Sequence, residues 1–244
     1  MTPALRRALT GGLAGVALFY ALAMAFKQLL PATLVASPVA SQCVLKGALI
    51  VVALALGPAT GCSWSALGFQ RAAPGARWRG WLILGAAAMA CASLAMVLLD
   101  ARHPIAAQLT FLQIVTVVWI GSSVAEEVFV RGLVQAWMTG DRAAASGDPA
   151  ACPYAPAVLG SAVVFGLMHV PLLWSGAGIA GGLVIVAATL VLGWACAVLR
   201  ARTGSLWPAV VGHVLGNVGG LPGGVLGALL YRLLHGHLPA GMGG

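Results

Sequence analysis

Charge is what this sequence has least of. Asp and Glu together number five in 244 residues, and charged residues make up 7%, against roughly 25% in an ordinary soluble domain. Hydrophobic residues reach 61%, and several apolar runs approach the ~18 residues that mark a spanning helix. These numbers exclude a soluble module. The fold class they predict is all-α, a polytopic transmembrane helical bundle. Cysteine is equally uninformative: Cys43, Cys62, Cys91, Cys152 and Cys196 make an odd set of five without a CxxC. A disulfide framework and a zinc ribbon are therefore excluded, and buried inert thiols are expected. The sequence has no HExxH and no repeat of clear period. The net charge of +8 comes without a basic patch interleaved with aromatics, which excludes nucleic acid as a partner. The basic residues read instead as topology determinants in a lipid bilayer.

Eight hydrophobic segments are expected, at about 10–27, 42–58, 80–99, 108–137, 155–173, 176–200, 205–218 and 220–235. The last two are short and glycine-rich, open to being tilted, broken or re-entrant. Arg6-Arg7 and the apolar run to Phe26 read as an uncleaved first helix, because no polar segment with a cleavage site follows. With the N-terminus inside, the cytoplasmic side receives Arg6, Arg7, Arg71, Arg77, Arg79, Arg142, Arg200, Arg202 and Arg232, and the outer side Lys27, Lys46 and Arg102. That distribution obeys the positive-inside rule and places both termini in the cytoplasm. We expect N-terminal helices over 1–104 (three spans) and a core carrying the chemistry over 105–244 (about five spans), forming one structural unit. Alanine, glycine and arginine with few lysines suggest a GC-rich bacterial genome and an inner-membrane location.

Against this apolar background Glu126 and Glu127 stand side by side within the fourth segment, with Arg131 beyond them. A charge near the bilayer centre costs about 2.5–3.5 kcal/mol even on the lenient insertion scale, so such residues are usually functional. Glu127 and Arg131 are i,i+4 neighbours in the favourable order for an ion pair. Glu126 points about 100° away around the helix and is left to act on something else. The fifth segment carries His169 with Phe165 one turn before it, and the seventh carries His213 and Asn217 on one face. Counted from the cytoplasmic ends at ~1.5 Å per residue, Glu126 lies roughly 17 Å deep, His169 roughly 21 Å and His213 roughly 12 Å. One polar pocket reached from the cytoplasmic side is the expectation.

A carboxylate, two histidines and an asparagine in a low-dielectric pocket suit amide hydrolysis. Glu126 can deprotonate a water, His169 can share or orient it, and His213 and Asn217 can donate to the oxyanion of a tetrahedral intermediate. A second arrangement makes Glu126, His169 and His213 three ligands of a divalent metal such as zinc, with water in the open position. The residues alone do not separate the two.

Glu126-Glu127-x-x-x-Arg131, Phe165-x-x-x-His169 and His213-x-x-x-Asn217, in that order on successive apolar segments, resemble the CAAX-protease and bacteriocin-processing family (CPBP, also called Abi). Gly204-Ser-Leu-Trp-Pro208 ahead of the third motif adds to the likeness, which covers about 108–218. The resemblance implies an intramembrane endopeptidase of the type II CAAX prenyl protease kind. Glu126 would activate water with His169, His213 and Asn217 would hold the oxyanion, and Glu127 and Arg131 would complete the motif. A glutamate-type mechanism without cofactor is the preferred reading and a metalloprotease the alternative. The implied partners are the bilayer and a peptide or protein substrate, lipidated or membrane-anchored: a prenylated C-terminus, a bacteriocin leader or a sorting tail.

Two other functions fit the same residues: a proton-coupled secondary transporter using the Glu pair, and a non-catalytic scaffold or self-immunity protein. Phe165 reads as packing that shapes the site. His235 and His237 read as solvent-facing tail residues, and His103, in a loop beside Pro104, is assigned no role. Trp78, Trp81 and Trp207 near span ends read as interfacial anchors.

Overall fold

The computed structural model describes residues 1–75, 77–101, 108–148, 150–174 and 176–239. Arg102 and His103, and the expected division between 104 and 105, lie outside the described residues. Among the described residues every regular element is helical. Among these residues seven helices are long and apolar enough to cross a membrane: Pro3–Leu29, Pro38–Ala59, Arg79–Leu98, Phe111–Thr139, Pro156–Trp174, Gly178–Thr203 and Trp207–His235. They are called the first to seventh spans. Short helices at Ala32–Ala36 and Asp141–Ser146 sit in connections. Helix starts follow their local chemistry: Thr2 and Ser37 cap the first two spans, each with Pro at the first position.

The protein exposes many apolar side chains and buries several charged ones. Leu13, Ile83, Leu183 and Val225 are more than half exposed, whereas Glu126, Glu127, Arg131, Arg200 and His213 are buried. An exposed apolar surface of this extent is the signature of a lipid-facing protein. The largest core cluster surrounds the middle of the fourth span, where Phe129, Val130, Leu133 and Val134 meet Phe19, Leu49 and Phe165.

Among the described residues the expected seventh and eighth segments are not separate spans. Segments 205–218 and 220–235 form one continuous helix, Trp207–His235. Their glycines are used for close packing instead of for a break. A Cβ on Gly223 would lie 2.0 Å from the Ala90 carbonyl oxygen, and one on Gly219 would lie 2.6 Å from that of Ala86. Backbone therefore meets backbone between the third and seventh spans, as small residues allow in lipid. Pro222 within this helix removes one internal hydrogen bond without ending it. If each of these seven helices crosses the bilayer, the two termini lie on opposite faces, whereas eight spans would place both in the cytoplasm. Moving Arg232 to the outer side changes nine against three into eight against four, so the charge rule still orients the chain.

The face carrying the N-terminus is closed by a hydrogen-bonded floor. Buried Arg200 donates to Ala144 O at 3.0 Å and to Ala66 O at 2.5 Å. Gln70 donates to the carbonyls of Ala145 and Gly204, and Ser205 Oγ donates to Gln70 O at 2.7 Å. Gly204, at φ +64°, ends the sixth span, and a Cβ there would meet Gln70 and Gly147. The sequence Gly204-Ser-Leu-Trp-Pro208 is thus the part of the floor that turns the chain into the seventh span.

Candidate active site

The fourth span does not wind uniformly. The α-helical turn Ser123–Glu127 lies between π-helical segments, Ile114–Ser122 and Val128–Val134. Such segments are rare and concentrate at functional sites. Wider turns change which side chains share a face, so the acidic pair is aimed by a backbone irregularity that the sequence pattern does not announce.

The ion pair expected from spacing is present. Arg131 Nη1 lies 3.2 Å from Glu127 Oε1, both side chains fully buried. Arg131 Nη2 donates to Gly193 O at 2.7 Å, and the guanidinium sits 4.4 Å from the centre of the Phe165 ring. Gly193 makes room for this: a Cβ there would be 2.9 Å from the Phe165 ring and 3.2 Å from Arg131 Nη2. Glu127 Oε1 also meets His213 Nδ1 at 2.9 Å. A Glu127 carboxylate can only accept, so Nδ1 of the imidazole carries a proton and Nε2 is turned toward Glu126. Nε2 lies 3.7 Å from Glu126 Oε2, beyond direct hydrogen-bond length.

His169 stands where the helix Pro156–Leu167 gives way to a 3₁₀ turn over Val170–Trp174. Its Nδ1 donates to Phe165 O at 2.8 Å, because a carbonyl can only accept. Phe165 is fully buried between the two imidazoles, with ring centres 4.9 Å from His169 and 5.3 Å from His213. Its packing role is therefore to space three site groups, Arg131 included. Asn217 Nδ2 donates to Ser123 Oγ at 3.1 Å, so both members of the His213/Asn217 pair address the same turn of the fourth span.

Two site residues escaped the sequence reading. Ser123 carries no cost or charge that would single it out. Lys46 is different: its Nζ lies 2.5 Å from Glu126 Oε1, although its place near the start of the second span made it read as an outer-side topology marker. A lysine within an apolar segment has the same cost in lipid as the glutamates, and that cost was the available signal.

Glu126, Lys46, His169, His213 and Asn217 all line one cavity of about 1100 Å³. Its walls are apolar, with Phe19, Met24, Met96, Val118, Ile185 and Leu192 among them. These residues come from the ends of the spans opposite the Arg200 floor: the C-terminal half of the first and third, the N-terminal half of the second and fourth. The cavity therefore opens away from the arginine-rich face, which corrects the expectation of access from that side. His235 and His237 are exposed, contact the Tyr231 ring and are not among the residues lining this cavity. All five cysteines are free, and of these Cys62 and Cys196 are buried. Trp81 packs against Trp194 and under Arg202.

Among the described residues no three His, Cys, Asp or Glu side chains are grouped to hold a metal ion. Glu126 faces an ammonium, while His169 and His213 each place Nδ1 on an oxygen and leave Nε2 open, an arrangement that metal-ligating imidazoles share.

Residues 108–219 match the family described as Rce1-like, type II CAAX prenyl endopeptidase Rce1-like. The match begins ahead of the fourth span and ends just past Asn217. No curated protein and no solved structure matches the chain.

Proposed function

From the match of residues 108–219 to a CAAX protease-like family, we propose that the chain hydrolyses a peptide bond of a membrane-associated substrate with a glutamate-activated water. One observation carries the reading: Glu126, His169, His213 and Asn217, from three spans, line a single cavity inside an apolar bundle. Glu126 takes a proton from water, and the hydroxide attacks the scissile carbonyl carbon. His169, held by the Phe165 carbonyl, orients the water through Nε2. The oxyanion is met by the second Nδ2 hydrogen of Asn217 and by Nε2–H of His213, which enters the reaction with both ring nitrogens protonated and keeps both protons throughout. Glu127 and Arg131 act behind His213: the carboxylate fixes the ring and stabilises its positive charge. As the C–N bond breaks, Glu126 returns its proton to the leaving amine. One oxyanion donor is typically worth about 2.7–4 kcal/mol, and the acid–base group about 10²–10⁴-fold.

The chemistry needs no step on a metal, and none is assigned here. The substrate class is a peptide with an apolar, membrane-held portion, whether a lipidated C-terminus, a leader or a sorting tail. With the arginine-rich face in the cytoplasm, that peptide reaches Glu126 from the opposite face. Purified protein in proteoliposomes tests the reading on an anchored reporter peptide. Wild type cleaves, cleavage survives a strong chelator, and Glu126→Gln abolishes it. Loss of cleavage with the chelator, restored by zinc, overturns the glutamate mechanism. Uptake that depends on Glu126 and a proton gradient, without cleavage, overturns the protease reading.

A further inference from the structure

Lys46 lies outside residues 108–219, on the second span, and its ammonium covers Glu126 Oε1 at 2.5 Å. A carboxylate oxygen shared with an ammonium is a poor acceptor for a proton from water. The base is thus engaged in the arrangement observed. Moving Lys46 away without a new partner would leave two unpaired charges among apolar walls, at a cost of several kcal/mol. An exchange of anions avoids this: Lys46 takes a second carboxylate, and Glu126 loses its charge by accepting the proton from water.

Three features of the cavity fit such an exchange. Lys46 itself lines the cavity and has a flexible four-carbon stem with rotatable donors. The only other lysine of the chain, Lys27, also lines it and is exposed, placed to draw an anion inward. Phe19, Met24 and Val118 supply apolar surface for the residues that precede the anion.

We propose that Lys46 is the carboxylate receptor of this cavity: it latches Glu126 in the free enzyme and releases it on pairing with a carboxylate near the end of the substrate peptide. The inference rests on the protease reading above and deepens it by naming the substrate class, a peptide with an anionic end. Lys46 is a specificity and positioning residue in this scheme; the bond-breaking steps remain with Glu126 and its neighbours.

The probe is an N-myristoylated, fluorescent apolar decapeptide in three forms: C-terminal acid, C-terminal amide, and amide with Asp as the last residue. Binding is measured first, to the full-length protein in nanodiscs. Glu126→Gln removes the competing carboxylate, so this variant is expected to bind the acid about tenfold more tightly than wild type does, with the amide unchanged. Lys46→Met removes the preference for acid over amide, and Lys46→Arg keeps it. Binding of the Asp-terminated amide like the acid assigns the receptor to any terminal carboxylate; binding like the plain amide restricts it to the chain end. Equal affinity of acid and amide for Glu126→Gln overturns the inference, whatever the Lys46 variants do. Cleavage separates the two readings. If wild type cleaves acid and amide equally, the latch fails and the protease stands. If wild type cleaves no form faster than Glu126→Gln does, the protease reading fails, and the latch, which rests on it, falls with it.

Discussion

Glu127 and Arg131 are both fully buried, and a buried ion pair behaves asymmetrically when one half is removed. Taking Arg131 away leaves Glu127 charged in an apolar interior and costs about 3–5 kcal/mol. Arg131→Ala is therefore expected to lower the unfolding midpoint sharply in a thermal or denaturant titration in detergent. Glu127→Gln is expected to be milder in stability but severe in cleavage, because an amide oxygen still accepts from His213 Nδ1 but no longer carries the charge that stabilises the protonated ring. Equal stability of Arg131→Ala and wild type would contradict this assignment. At this scale the sequence was informative where a residue was costly or regularly spaced. Glu126, Glu127 and Arg131 announced themselves by charge in lipid, and the ion pair by its i,i+4 interval. The His213 contact to Glu127 joins residues 86 positions apart, and no local pattern reports it. Lys46 did carry the signal of cost, but its place near a span end gave it an alternative reading as a topology marker.

The elements show which glycines matter. On the seventh span Gly223 faces the Ala90 backbone with no room for a Cβ, while Gly224 has nothing within 4 Å. Gly223→Ala is expected to force the third and seventh spans apart and to destabilise by about 1–3 kcal/mol, as overpacking typically does. Gly224→Ala, one residue along the same helix, is expected to be neutral or slightly stabilising. Comparable losses in both variants would show that helix propensity, not contact, decides this segment. The eight-segment count failed here for the same reason: glycine density reads as interruption in one dimension and as close approach in three. The π-helical stretches around Glu126 were equally invisible, since they reflect packing of the whole span and not the propensity of its residues. The six earlier spans, being long and uniformly apolar, were legible to within a few residues at most ends.

Across the whole molecule, the arrangement is a closed floor on one face and a cavity opening on the other. Arg200 holds the floor through the carbonyls of Ala66 and Ala144; Arg200→Met leaves both without this donor and is expected to cost about 1–3 kcal/mol per acceptor in stability, measured as a lowered unfolding midpoint. If all seven helices cross, the termini lie on opposite sides and tags at the two ends are expected to differ in protection from protease in sealed vesicles; equal protection would restore an even number of crossings. The cavity's orientation could not be read from segment depths, because counting from span ends gives a distance to the membrane surface and not the direction in which the space is open. The central claim is that Glu126 activates water within this cavity, and cleavage of an anchored reporter peptide in proteoliposomes tests it most directly. With equal amounts of folded protein, wild type should cleave, and Glu126→Gln, His169→Ala and His213→Ala should each lose at least about a hundredfold in rate. Cleavage at the wild-type rate by all three variants would contradict the account.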